Sequence, residues 1–154
     1  MKSFLNSFIN AAYGIWFCVR YERNFRIHLI AAAYALGFAP LFSLSQVEWA
    51  VLLLTIAIVL VAEAINTAVE HTVDLLSPKT HPAARIAKDT AAAAVLVCTV
   101  VSIVVGVLIF GRPDMLLQVF KNILSSPKKF VILAVSLVFS LWFIIKGGHK
   151  KHPN

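Results

Sequence analysis

The sequence predicts an all-α membrane protein with an N-terminal amphipathic surface helix, three core transmembrane helices and a fourth, C-terminal span. Of its 154 residues, 60% are hydrophobic and only 14% charged, a balance far from that of a water-soluble globular domain. Apolar stretches long enough to cross a ~30 Å hydrocarbon layer recur along the chain, divided by short polar or proline-bearing breaks. No stretch between them is long enough to bury a core of its own, so a water-soluble partner must meet the protein at the membrane surface.

Phe4, Leu5, Phe8, Ile9, Ala12, Ile15 and Trp16 follow the helical period, with Lys2, Ser3, Asn6, Ser7 and Asn10 opposite, which predicts a helix lying on the bilayer. Asn6, Ser7 and Asn10 also interrupt the continuous apolar run of a cleavable signal peptide, so the N-terminus is expected to be retained. A first span over residues 27–42 follows the cluster Arg20, Glu22, Arg23 and Arg26. Ala31, Ala32, Ala33 and Ala35 suit it to close helix contact, and Pro40 helps to end it.

The second helix begins near Gln46, and a stretch reaching Leu76 is roughly 45 Å long. Its Glu63 end must therefore project through the headgroup layer towards water. Ser77 and Pro78 stop it, residues 79–87 read as a short polar loop, and a third span covers residues 90–110, opening on a run of alanines. Gly111, Arg112 and Pro113 break the chain. Met115, Leu116, Val119, Phe120, Ile123 and Leu124 then form a second amphipathic stripe, a fourth span covers residues 130–145, and His149 and His152 belong to a solvated tail. The chain thus divides into a membrane domain over residues 1–110 and an extension over residues 111–154.

The first turn carries no Lys or Arg and is expected outside. Four spans then put both termini and the Lys79 loop in the cytoplasm, with ten of the 14 basic residues inside. The net charge of +7 is scattered over segment ends without clustered aromatics, which fits anionic headgroups and not nucleic acid. Cys18 and Cys98 sit in apolar sequence with neither CxxC nor metal spacing and read as small packing residues.

The chemistry lies on the second helix. Glu63, Asn66, Glu70 and Asp74 step along it at intervals that return each side chain to nearly one face. Carboxylates at the edge of a span mark a site, because a charge costs roughly 2.5 kcal/mol or more at the bilayer centre. Oxygen ligands without a His/Cys cluster suit a hard cation, Mg²⁺, which takes one or two protein carboxylates plus phosphates. Glu70 is one such ligand, and Glu22 is at the depth to supply another. Glu63, about 10 Å deeper than Glu70, suits a general base hydrogen-bonded by Asn66, while Lys88 and Asp89 approach from the aqueous side towards phosphates. The reaction inferred is transfer of the γ-phosphoryl of a nucleotide to a hydroxyl presented from within the membrane. No GxxxxGK[ST], GxGxxG or HRD pattern occurs, which excludes P-loop and protein-kinase sites.

Competing readings of the same residues are a helix contact or a water-filled cavity for the stripe, and an oligomeric transporter or ion channel in which it lines a path. Arg20, Arg23 and Arg26 also read as snorkelling anchors, and His28 and His71 as packing or interface residues.

Three segments carry a family resemblance: ERNFRIH at 22–28, AEAINTAVEHTVD at 62–74 and AKDTAAAAV at 87–95. In this order they closely resemble the bacterial integral-membrane diacylglycerol kinase and undecaprenol kinase family, over residues 8–110. The resemblance implies a homotrimer of three-span subunits with a surface helix, in the bacterial cytoplasmic membrane, using ATP and Mg²⁺ at sites on subunit boundaries. By position it implies Glu63 as catalytic base and Glu22 and Glu70 as metal-binding carboxylates. It assigns Glu22, Glu70, Asp74, His81, Lys88 and Asp89 to the nucleotide, and Glu63, Asn66 and Arg26 to the lipid. His28 stands where proteobacterial diacylglycerol kinases have an acid, so the first segment is more similar to undecaprenol kinases. The substrate expected is undecaprenol, with diacylglycerol as the alternative. The stretch after Phe110 has no counterpart in the three-span pattern.

Overall fold

The computed structural model describes residues 2–77 and 81–146, apart from the side chains of Lys2 and Ser3. Lys79, His149 and His152 lie outside the described residues. Helices account for nearly all of the rest: α1 (Lys2–Tyr21), α2 (Arg23–Phe38), α3 (Gln46–Leu76), α4 (Pro82–Phe110), α5 (Pro113–Leu124) and α6 (Pro127–Lys146). Four are long and apolar enough to cross a membrane: α2 with the 3₁₀ turn Ala39–Phe42 that prolongs it, α3, α4 and α6.

Each boundary has a local cause. Glu22 alone separates α1 from α2, in an extended conformation (φ −98°, ψ 114°), and its carbonyl accepts the Arg26 backbone N–H at 3.3 Å. The helix of the first span thus begins at Arg23, ahead of the apolar run that predicts its start near residue 27. Pro40 lies in the first turn of the 3₁₀ segment, and Ser43 reverses the chain with a positive φ of 49°. α3 opens on a capping box: the Ser45 hydroxyl accepts from the Glu48 N–H at 3.3 Å, and Glu48 Oε2 accepts from the Ser45 N–H at 2.8 Å.

α4, α5 and α6 each begin at a proline, whose missing N–H costs nothing in a first turn. At Pro82 this corrects the sequence reading: residues 82–87, expected as polar loop, are helical, and the helix of the third span starts well before residue 90. The His81 imidazole caps it, Nδ1 accepting from the Ala83 N–H at 3.2 Å.

Side-chain contacts fix the order of the bundle's two ends. At one end Glu22 meets His71, Asp74 pairs with Lys88, and Arg26 bonds the Ile144 carbonyl. At the other, Phe42 meets the edge of Phe110 with ring centres 5.0 Å apart, and Glu48 pairs with Arg112. The four spans therefore alternate in direction, and the polar groups of interest collect at the first end. The small apolar core of Ala39, Leu52 and Ile109 sits near the second. Leu96, Val97, Val100, Val104 and Leu108 of α4 are exposed, as helices that meet lipid or a neighbouring subunit require.

Gly111 joins α4 to the extension at a point with no room for a side chain: a Cβ there would stand 2.2 Å from the Val107 carbonyl oxygen, the same oxygen that accepts the Gly111 N–H at 2.8 Å. Gly111→Ala is expected to cost about 1–3 kcal/mol, read as a lower melting temperature of the detergent-solubilised protein.

Candidate active site

The acidic face of α3 is buried at its deep end and opens towards water. Glu63 is 2% exposed, with Asn66 and Thr67 also buried. A carboxylate accepts such a position only where the fold leaves it no alternative, since desolvation penalises its charge. Asn66 Nδ2 donates to Glu70 Oε1 at 3.2 Å, one helical turn on. Asn66 Oδ1, by contrast, is buried with no hydrogen-bond partner among the described residues. That acceptor is what the site lacks a donor for.

α1 and the elbow at Glu22 close over this face. The Cys18 thiol shares a hydrogen bond with Thr67, and burial pushes its pKa up, with the Glu22 and Glu63 charges adding in the same direction. Glu22 and Glu70 are the carboxylates whose charges act on Glu63. His71 Nε2 lies 3.6 Å from Glu22 Oε1, and its ring is held edge-on by Phe17 at 5.2 Å. His71, read from the sequence as packing, thus touches a predicted site acid. Its offset of about 100° from the stripe turns it towards α1, a direction that could be read only with the position of α1 known.

The other predicted residues line a second, open cleft of about 600 Å³ between the end of α3 and the start of α4. Asp74, His81, Lys88 and Asp89 all face it, with Ser77 and Arg85. Lys88 pairs with Asp74 across the cleft, while Arg85 and Asp89 form an exposed pair at 3.6 Å along α4. Glu70 and Asp74 are successive turns of one helix, so the buried acid and the cleft share a wall. Among the described residues no group of three or more His, Cys, Asp or Glu side chains is gathered as a ready metal cage.

Arg26 does not join either group. It is 1% exposed, and its guanidinium donates to backbone carbonyls at Val19, Arg20 and Ile144. His28 lines an apolar crevice of about 230 Å³ between α2, α3 and α4, together with Val59 and Leu60 one turn before Glu63.

A bundle of membrane-spanning helices with its acids gathered at one end, beside a cleft carrying both signs of charge, belongs to the class of integral membrane proteins with a polar site at the bilayer edge. The family profile described as prokaryotic diacylglycerol kinase matches residues 9–110. The chain is 46% identical over 110 residues to the undecaprenol kinase of Bacillus subtilis (strain 168), covering 71% of this chain and 89% of the relative. It is 40% identical over 103 residues to a diacylglycerol kinase of a Synechocystis species, covering 66% and 59%. With a Pseudomonas aeruginosa diacylglycerol kinase it shares 30% over 112 residues, covering 72% and 91%. The chain belongs to the prokaryotic diacylglycerol kinase family and is a membrane lipid kinase. The matched region stops at Phe110, where α4 ends.

Removing the Glu63 charge while keeping its shape relieves a buried carboxylate that faces two like charges. Glu63→Gln is therefore expected to melt at or above the wild-type temperature in detergent; a clear drop would show that the carboxylate holds the fold together.

Proposed function

We propose that this lipid kinase transfers the γ-phosphoryl group of ATP to the hydroxyl of undecaprenol. The observation that carries the reading is Glu63, an almost fully buried carboxylate one turn from Asn66, whose Oδ1 is a buried acceptor without a donor. A lipid hydroxyl has one proton to give, and Glu63 is the buried acceptor placed to take it. Glu63 takes the hydroxyl proton as the oxygen forms its bond to the γ-phosphorus. The bond from that phosphorus to the bridging oxygen breaks, and ADP leaves with the electron pair.

The nucleotide belongs in the α3–α4 cleft. Lys88 and Arg85 offer positive charge to its phosphates, and Asp74, His81 and Asp89 offer polar contacts. Glu22 and Glu70 fit Mg²⁺: they are carboxylates from two elements whose charges both act on Glu63, and a hard cation that keeps waters and phosphate oxygens needs no more from the protein. The chemistry that Mg²⁺ would supply there is neutralisation of phosphate charge. With the nucleotide charged and water-soluble, this end of the bundle faces the cytoplasm, in keeping with Arg20, Arg23, Arg85, Lys88 and Lys146 at the same end. The exposed apolar face of α4 and the family resemblance support a homotrimer in the bacterial cytoplasmic membrane.

Undecaprenol is favoured over diacylglycerol by the 46% identity to a relative of that name and by His28 in place of an acid. Diacylglycerol is the second reading, carried by the names of the other relatives.

Purified protein with MgATP and separate samples of undecaprenol, diacylglycerol and ceramide is expected to phosphorylate undecaprenol fastest; a faster rate on diacylglycerol would transfer the assignment to it. Glu63→Gln should lose about 10²- to 10⁴-fold in kcat, and wild-type turnover in that variant would remove the mechanism. Glu70→Ala should raise the Mg²⁺ concentration needed for half-maximal rate about tenfold or more, the scale of one charge-assisted contact.

A further inference from the structure

Arg26 is the one large side chain that is completely enclosed among the described residues. Its Nη1 donates to the Val19 carbonyl at 3.2 Å and the Arg20 carbonyl at 3.0 Å, and its Nη2 to the Ile144 carbonyl at 3.3 Å. Val19 and Arg20 lie in the last turn of α1, and Ile144 in the last turn of α6. Carbonyls there have no donor within their own helix and form the negative end of its dipole. The guanidinium, always charged and with donors in a fixed fork, satisfies both ends at once. One cation on α2 thus ties down the end of α1 and the end of α6. Between α1 and α2 stands Glu22 alone, so whatever fixes those two helices fixes Glu22.

α6 has little other hold on the bundle. None of its residues is fully buried, and a cavity of about 340 Å³ opens between it and α2, beside Leu29, Ala33, Phe139 and Phe143. A second polar link spans this loose seam: the Tyr34 hydroxyl lies 3.1 Å from the Ser136 hydroxyl and 3.1 Å from that of Ser140. Ser136, Ser140 and Ile144 recur every fourth residue and share one face of α6. Arg26 and Tyr34, two turns apart on α2, meet that face in antiparallel order.

We propose that α6 is a brace for the elbow at Glu22, and that Arg26 is a positioning residue through which the extension beyond Phe110 sets the affinity of the site for Mg²⁺. This rests on reading Glu22 as a metal-binding carboxylate.

The test uses the full chain in lipid nanodiscs, with Mg²⁺ titrations of kinase activity and hydrogen exchange of residues 18–26. Tyr34→Phe, and Ser136→Ala with Ser140→Ala, remove only hydroxyls and change none of the residues placed in the site. Each is expected to raise the Mg²⁺ concentration for half-maximal rate about three- to tenfold, the scale of one hydrogen bond, with kcat at saturating Mg²⁺ unchanged and exchange at the elbow faster. Combining them should add little, since both break one link. Arg26→Lys, which loses the fork, should shift the Mg²⁺ requirement further. Faster exchange without a change in Mg²⁺ requirement, or no change in exchange, would overturn the brace. Glu22→Ala separates the two ideas: wild-type Mg²⁺ dependence in that variant overturns the ligand reading, whatever the exchange at the elbow shows.

Discussion

A carboxylate that is 2% exposed, carried by a helix whose preceding turns are apolar, is the constraint around which the bundle is arranged. Glu63 cannot escape to water by rotating, because the deep turns of α3 admit none, and it cannot be paired away, because the charges that act on it are those of Glu22 and Glu70. The neighbouring elements then have defined tasks. α1 covers the acidic face through Cys18 and Phe17, the elbow brings Glu22 to the same turn as His71, and α4 supplies Lys88 across the cleft from Asp74. A single unbroken helix of 31 residues carries the gradient from hydrocarbon to water, so the deep and shallow parts of the site hold a fixed spacing.

The second helix was legible to both ends in the sequence because its signals are local: the apolar run opens near Gln46, and Ser77 with Pro78 ends it. The start of α4 was not. Residues 82–87, with Arg85 among them, look like loop chemistry when counted by polarity, yet they stand on a helix that begins at Pro82 and is capped by His81, and helix formation does not require an apolar residue on a turn that faces water. The grouping of Glu63, Asn66 and Glu70 followed from periodicity within one helix. The contacts of His71 and Arg26 did not, because each depends on how a second helix leans against the first. Gly111 read simply as a break in the chain, and its closeness to the Val107 carbonyl emerged only from the folded backbone.

The two ends of the bundle solve the burial of charge differently. At the end away from the acids, Glu48 serves its own helix as a cap and also pairs with Arg112, so the turn after the 3₁₀ segment, the start of α3 and the start of the extension are joined through one carboxylate. At the site end, Arg26 donates to neutral carbonyls at the ends of two helices.

That arrangement also has a bearing on the order of assembly. Ile144 follows Arg26 by 118 positions, and a chain leaves the ribosome from its N-terminus. The first three spans therefore enter the bilayer with an arginine whose last acceptor has not yet been made. The contact between Arg26 and Ile144 is thus among the last to form, and a polypeptide released early leaves that cation without its remote carbonyl.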